Sequence, residues 1–253
     1  MKKHLYILTG GSRGMGLAMA EQLLKPDHVL LCISRRSNDT LAGQAHSRGV
    51  SLLQWQADLG DGAAVAQRLQ GWLASQEAKT YASATLINNA GVIPRIGPLS
   101  QADADDLAHA LRVGLEAPMQ LSAAFLGSTE SWGVPRKVLN ISSGLGRRAM
   151  ASQAGYCAAK AGMDHFTRCL ALDEALKPQG ARVCSLAPGV IDTDMQVQLR
   201  GANGSDFPDQ GNFVQLKQGG MLSSPQDAAA KVLAYLARPD FGANPVADVR
   251  DPA

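Results

Sequence analysis

The sequence predicts an α/β fold, a single domain built on a doubly wound parallel sheet. Three observations carry that prediction. Short apolar runs of strand length alternate along the chain with longer segments of helical period. The first run, Leu5 to Thr9, passes directly into Gly10-Gly11-Ser12-Arg13-Gly14-Met15-Gly16, a glycine turn that opens a helix. Several later strands are also followed at once by polar or glycine-containing segments, which a parallel sheet gathers at one edge. At 253 residues the chain can bury one sizeable core, so one domain is expected over residues 1–253.

The elements follow in order. Leu5 to Thr9 is the first strand, and Leu17 to Leu24 is helix, with Ala and Leu at close spacing. Glycines at 10, 14 and 16 let the turn between them bend and approach a pyrophosphate, whose charge is favoured at a helix N-terminus. Their spacing is G-x-x-x-G-x-G, with Ser12, Arg13 and Met15 between them; the alternative is a tight turn with no ligand. His28 to Ser34 is the second strand and runs into Arg35-Arg36. A carboxylate here would suit the ribose 2′-hydroxyl of NAD, whereas a cation suits the 2′-phosphate of NADP. No Asp or Glu lies between Val29 and Ser37, so Arg35, with Arg13 as a second cation, points to NADP(H). Two solvated arginines are the alternative.

Ser51 to Gln56 is the third strand and ends in Ala57-Asp58-Leu59, ahead of an amphipathic helix from Ala63 to Gln76. Asp58 either accepts from an adenine amino group or caps that helix. Ala84 to Ile87 is strand and ends in Asn88-Asn89-Ala90-Gly91, short polar residues suited to a crevice wall. Residues 101–126 are mostly helical, with Gly114 and Pro118 interrupting the middle. Lys137 to Ser142 is strand and leads to Ser143, and Tyr156 to Ala171 is helix.

Tyr156 and Lys160 lie four apart on that helix and therefore share a face. A phenol titrates near pH ~10, and an ammonium held beside it favours the phenolate. Ser143 can hydrogen-bond a substrate oxygen while Tyr156 gives or takes its proton. The bland alternative is a half-buried Tyr beside a surface Lys. Ala181 to Leu186 is strand, followed by Pro188-Gly189-Val190-Ile191-Asp192-Thr193. About 195–224 carries no strong period and reads as a mobile loop or short helices over a site. Pro225 to Arg238 is helix with Ser224 as N-cap, and Asn244 to Val249 is a last strand.

Composition narrows the function classes. A net charge of +2, with no basic block beyond pairs such as Arg35-Arg36, gives no reason to expect nucleic acid. Four cysteines without C-x-x-C or a companion His cluster read as core or near-surface thiols, and no metal site is expected. The first apolar run is too short for a signal peptide and no window reaches transmembrane length, so a soluble cytoplasmic protein is expected.

Thr9-Gly10-x-x-x-Gly14-x-Gly16, Asn88-Asn89-Ala90-Gly91, Ser143, Tyr156-x-x-x-Lys160 and Pro188-Gly189 occur in the order and at the distances of the short-chain dehydrogenase/reductase family, which the chain resembles over nearly its whole length. The resemblance implies a Rossmann-type fold with Tyr156 as general acid, Lys160 lowering its pKa and binding the nicotinamide ribose, and Ser143 orienting the carbonyl. It implies that Gly10, Ser12, Arg13, Gly14, Met15, Gly16, Ser34, Arg35, Arg36, Asp58, Leu59, Asn89, Ala90, Gly91 and the run Pro188, Gly189, Val190, Ile191 and Thr193 meet NADP(H). A narrower likeness, in Gly155 to Asp164, Pro188 to Gln196 and Gly219 to Pro225, is to the sepiapterin reductase and benzil reductase branch.

That branch implies reduction of one carbonyl of a vicinal dicarbonyl, with Ser143, Tyr156, Gly189 and Asp248 at the substrate. In pterin-reducing members a C-terminal Asp holds the ring; Asp248 is either that residue or a solvated strand-end carboxylate. Gly114 stands where many members carry an Asn of the proton relay, which puts that relay in question. A small-molecule carbonyl substrate and a homo-oligomer, dimer or tetramer, are implied. The alternatives are a general NADPH ketone reductase and an NADPH-binding sensor of low activity.

Overall fold

The apolar runs form seven strands: β1 (Lys3–Thr9), β2 (His28–Ser34), β3 (Ser51–Gln56), β4 (Tyr81–Asn88), β5 (Arg136–Ile141), β6 (Arg182–Ala187) and β7 (Val246–Asp248). In this computed structural model, which describes residues 2–251, they make one parallel sheet in the order β3-β2-β1-β4-β5-β6-β7. Met1, Pro252 and Ala253, included in the single-domain expectation, lie outside the described residues. Register is uniform through the centre: Ile7 faces Leu31 on one side and Leu86 on the other.

Strand periodicity builds two cores, one on each face. Leu5 and Ile7 of β1 enter one cluster and Leu8 the other, and β2 divides likewise, with Leu31 and Ile33 opposed to Leu30 and Cys32. Helices α1 (Gly14–Gln22), α2 (Asp39–Ser47) and α9 (Pro225–Ala237) cover the first face through Ala18, Met19, Leu41, Ala45, Ala228 and Val232. Helices α3 (Gly62–Ala74), α5 (Ala117–Thr129) and α6 (Ala154–Ala175) cover the second. On α3 the stripe Val65, Leu69, Leu73 packs in the same cluster as Leu121 and Phe125 of α5. Each fully buried Leu or Phe contributes roughly 1.5–3 kcal/mol relative to exposure.

The helix α4 (Ala104–Leu111) continues into α5 without a break, through a π-helical turn at Arg112–Glu116. The expected interruption at Gly114 and Pro118 is therefore absorbed as a widened turn at Arg112–Glu116, directly ahead of Pro118. Helix α2 is an element the sequence reading did not assign. Its cap is Asn38, which accepts from Leu41 N at 2.9 Å, but Gly43 within and a stripe of only Leu41 and Ala45 weaken its period. The region 195–224 resolves into α7 (Asp194–Arg200) and α8 (Gln210–Gln218). These pack Leu199, Phe207 and Phe213 into a third cluster that also touches Ile93, Ile96 and Met150. Ser224 caps α9 as expected, accepting from Asp227 N at 3.0 Å.

Candidate active site

The strand order reverses between β1 and β4, and the segments leaving these two strands meet there. Thr9 Oγ1 accepts from Asn89 N at 2.9 Å and Ala90 N at 3.0 Å, while Asn89 Nδ2 donates to Thr9 O at 3.0 Å. This clasp brings the glycine turn and the Asn89 to Gly91 wall together. A Cβ on Gly16 would lie 2.0 Å from Gly10 O and 2.6 Å from Asn89 Nδ2, so the turn closes only with glycine there. Gly14 takes φ +56°, in the left-handed region, and faces Thr193 Cγ2 across the cleft. The first turn of α1 has no acidic residue and no side-chain cap, which leaves its N–H groups pointing into the cleft mouth.

The basic residues expected at the 2′-phosphate lie around this mouth. Arg35 and Arg36 are exposed just beyond β2, and Ser34 Oγ is buried without a hydrogen-bond partner. Asn38 Nδ2 donates to Ser12 O at 3.1 Å, tying that segment to the glycine turn. Arg13 is exposed and ion-paired with Asp194 at 2.7 Å, an engagement the spacing did not foretell. Asp58 caps the turn at Leu59–Asp61, accepting from Gly60 N at 2.8 Å; Leu59 is buried. Its capping reading is thus met by a turn preceding α3 rather than by α3 itself.

Ser143 follows β5 in extended conformation and caps the turn Gly144–Gly146, accepting from Leu145 N at 3.2 Å. That turn is held onto α6 by Arg147, whose Nε donates to Asp164 Oδ2 at 3.2 Å and whose Nη2 donates to Ala247 O at 2.8 Å. Along α6 the buried stripe is Tyr156, Ala159, Lys160, Met163, Asp164 and Thr167, so the residues of interest face the sheet. Lys160 Nζ donates to Ile141 O at 2.7 Å and lies 5.8 Å from the Tyr156 ring centroid.

Burial dominates the electrostatics. It pushes the Tyr156 phenol up to about 12, against a downward pull from the Ser143 hydroxyl. It brings the Lys160 ammonium down to about 8, opposed by the charge of Asp164. The spacing alone predicted that Lys160 would draw the phenol down, and here the balance runs the other way. Desolvation is the largest influence on each group, and the ammonium spends a donor on Ile141 O. Tyr156 is thus a buried phenol held well above its ordinary range by desolvation, one turn from a buried amine.

Pro188 to Thr193 completes the cleft. Gly189 has φ +82°, and Val190 and Asp192 are tied to Ser223 by backbone hydrogen bonds of 2.9 and 3.0 Å, with a bridge at Ile191. Thr193 stands ahead of α7, opposite Gly14. A cavity of about 370 Å³ opens between Met150, Val190 and α8, with Arg148, Phe213, Leu216 and Met221 also on its walls. Asp248 is neither open to solvent nor unengaged: it is 7 % exposed, and Arg250 donates to both its oxygens, from Nε at 2.7 Å and Nη2 at 2.6 Å. The same arginine lowers its pKa.

Gly114 is buried, and a Cβ there would sit 3.2 Å from Ala159 Cβ, so α6 packs closely on the π-helical turn. Sequence reasoning assigned no role to Asp164, which accepts from Ser185 Oγ at 2.6 Å and from Arg147 Nε at 3.2 Å, and whose charge raises the pKa of Lys160. Its signal was available: it lies four residues beyond Lys160 on the same face. No helix among the described residues is long and apolar enough to cross a membrane.

The family model for short chain dehydrogenases matches residues 4–204. A benzil reductase ((S)-benzoin forming) of Bacillus cereus is 34 % identical over 93 % of this chain and 94 % of its own. The sepiapterin reductase of Meriones unguiculatus is 31 % identical over 97 % of this chain and 95 % of its own. Among solved structures, a short-chain dehydrogenase/reductase from Burkholderia vietnamiensis superposes with a TM-score of 0.65 at 35 % identity, covering 99 % of this chain and 100 % of that one. Fold, switch-point cleft and sequence agree: the chain belongs to the short-chain dehydrogenase/reductase family and is an oxidoreductase.

Proposed function

We propose that this oxidoreductase uses NADP(H) and reduces one carbonyl of a vicinal dicarbonyl to a hydroxyl. The observation that carries the reading is the burial of Tyr156 one helical turn from the buried Lys160, whose ammonium lies 5.8 Å from the Tyr156 ring centroid, with Ser143 at the end of the neighbouring strand. The chain's residues fit the cofactor. The uncapped start of α1 and the glycine turn suit a pyrophosphate, and the unpartnered Ser34 Oγ beside Arg35 suits a phosphate on the ribose. Gly10, Ser12, Arg13, Gly14, Met15 and Gly16 would hold the first; Ser34, Arg35 and Arg36 would hold the second. Asp58 and Leu59 would meet the adenine, and Asn89, Ala90, Gly91, Lys160 and Pro188 to Thr193 the ribose and nicotinamide. When bound, the nicotinamide supplies hydride to the carbonyl carbon.

Ser143 donates to the carbonyl oxygen, and Tyr156 gives that oxygen its proton as negative charge develops. Lys160 adds positive charge in a dry pocket where charge acts strongly. Met150, Val190, Phe213 and Leu216 would shelter the substrate's apolar flanks. The relatives named for benzil and for sepiapterin support the dicarbonyl class. Because Arg250 occupies both oxygens of Asp248, the reading favours an aryl diketone over a pterin held by that carboxylate.

Purified protein should oxidise NADPH, followed at 340 nm, with an aromatic vicinal diketone, and do so more slowly with NADH. Tyr156→Phe should lower that rate about 10²–10⁴-fold with NADPH affinity near wild type; retained turnover would remove the acid from Tyr156. Gly114, packed on Ala159, is the observation behind a second reading, an NADPH-binding protein of low turnover. Tight NADPH binding with no reduction of any diketone or ketone would select it. We further propose a homo-oligomer joined through residues 104–129 and α6 with its C-terminal cap, where Leu172 is 71 % and Leu176 is 86 % exposed.

A further inference from the structure

We propose that Gln153 binds the second carbonyl oxygen of the substrate and so discriminates a vicinal dicarbonyl from a simple ketone. The inference deepens the reductase reading above and rests on it. Gln153 is the N-cap of α6: its carbonyl accepts from Cys157 N at 2.8 Å, and it stands three residues before Tyr156 in the chain. Its side chain is 2 % exposed, yet neither Oε1 nor Nε2 has a hydrogen-bond partner. A primary amide buried with both ends unpaired is unfavourable, and native proteins rarely keep one without a use.

The backbone beside it is also unusual. Ser152 has φ +63°, the left-handed region, alone among the described non-glycine residues. It is held from two sides. Gly97 N donates to Ser152 O at 3.4 Å, and Ser152 Oγ donates to Asp206 O, in the segment between α7 and α8. One flank is the loop that leaves β4 through Asn89 to Gly91, and the other joins α7 to α8, the helix that lines the cavity of about 370 Å³. A space of about 10 Å³ opens beside Gln153, between Pro94, Leu107 and Gly155, enough for one oxygen-sized group.

The chemistry follows from valence. A single ketone oxygen satisfies Ser143 and Tyr156 and leaves the Gln153 amide as it was. A vicinal dicarbonyl carries a second acceptor on the adjacent carbon, which Nε2 can meet as a donor. Nε2 is thus paired only when a dicarbonyl is bound, and the gain appears as selectivity.

The test compares benzil with deoxybenzoin, the same skeleton bearing one carbonyl, on NADP⁺-saturated wild type and Gln153→Met. Titration calorimetry should show benzil binding about tenfold weaker in the variant, with deoxybenzoin unchanged within about twofold, and kcat/KM should follow the same split. Gln153→Glu, which at neutral pH accepts but does not donate, should lose benzil in the same way and serves if the Met variant melts below the assay temperature. Equal weakening of both ligands, unchanged benzil binding, or no benzil binding by wild type would each overturn the role of Gln153. Selective benzil binding lost in the variant, but without NADPH oxidation by wild type, would overturn the reductase reading and leave the Gln153 contact standing.

Discussion

Tyr156 and Lys160 sit in one buried pocket where each group's burial acts against its charged form. The phenol is held protonated to about 12, so it does not limit proton delivery at working pH. The amine is the titrating member: it loses its charge as pH rises through about 8. Ketone reduction is therefore expected to be level near neutrality and to fall above about pH 8, and a kcat/KM profile checks this. A profile level to pH 10 would mean that the charge on Lys160 is dispensable. Burial also lifts the Cys32 and Cys184 thiols to about 12, whereas Cys169 is exposed. A chromogenic disulfide reagent should label Cys169 in the native protein and reach Cys32 and Cys184 only on unfolding. None of these environments is written in the residue itself. Tyr-x-x-x-Lys marks which groups meet, but the sign of the phenol's shift depends on how much water the surrounding chain removes. Asp248 makes the same point, since its engagement by Arg250 is invisible until the chain turns after β7.

At the scale of elements, close approach decides what each segment tolerates. Gly16→Ala gains about 1 kcal/mol of helix propensity, but its new methyl would meet Gly10 O at 2.0 Å, a backbone atom that cannot step aside. The clash prevails: NADPH affinity should fall more than tenfold and the melting temperature should drop, as fluorescence titration and thermal melts will show. At the far end of α6, Glu174 is 3 % exposed and accepts from Ala181 N at 2.7 Å and Lys177 Nζ at 2.9 Å, with Arg136 Nη2 3.8 Å away. Glu174→Gln would leave the buried Arg136 without its counter-charge, and urea unfolding should report a loss of about 3 kcal/mol. The strands, α1, α3, α6 and α9 were legible because each has a strong period or a clear boundary signal. Helix α2 was not, because Gly43 and a two-residue stripe give little period. Nor was the π-helical turn: Gly114 signals weakness in a helix, whereas its accommodation depends on Ala159 packing from another helix.

The whole molecule places its chemistry where strand order reverses. The glycine turn after β1, Asn89 to Gly91 after β4, Ser143 after β5 and Pro188 to Thr193 after β6 all leave the sheet at its C-terminal edge. Leu172 on α6 and Leu176 just past its end stand exposed, and Met119 and Leu111 are exposed along residues 104–129. If copies of the chain pair there, sedimentation should show a dimer or larger, and Leu172→Glu with Leu176→Glu should return it to monomer with the fold intact. The sequence by itself determined the fold class, the parallel sheet and the roster of polar groups at its edge, because period, glycine spacing and strand-end position are local properties of the chain. Tertiary structure alone decided the pairing of Arg13 with Asp194, the capture of Asp248 by Arg250, the raised phenol of Tyr156 and the unpaired amide of Gln153. Each depends on distance and on exclusion of water, and both exist only once remote segments have packed.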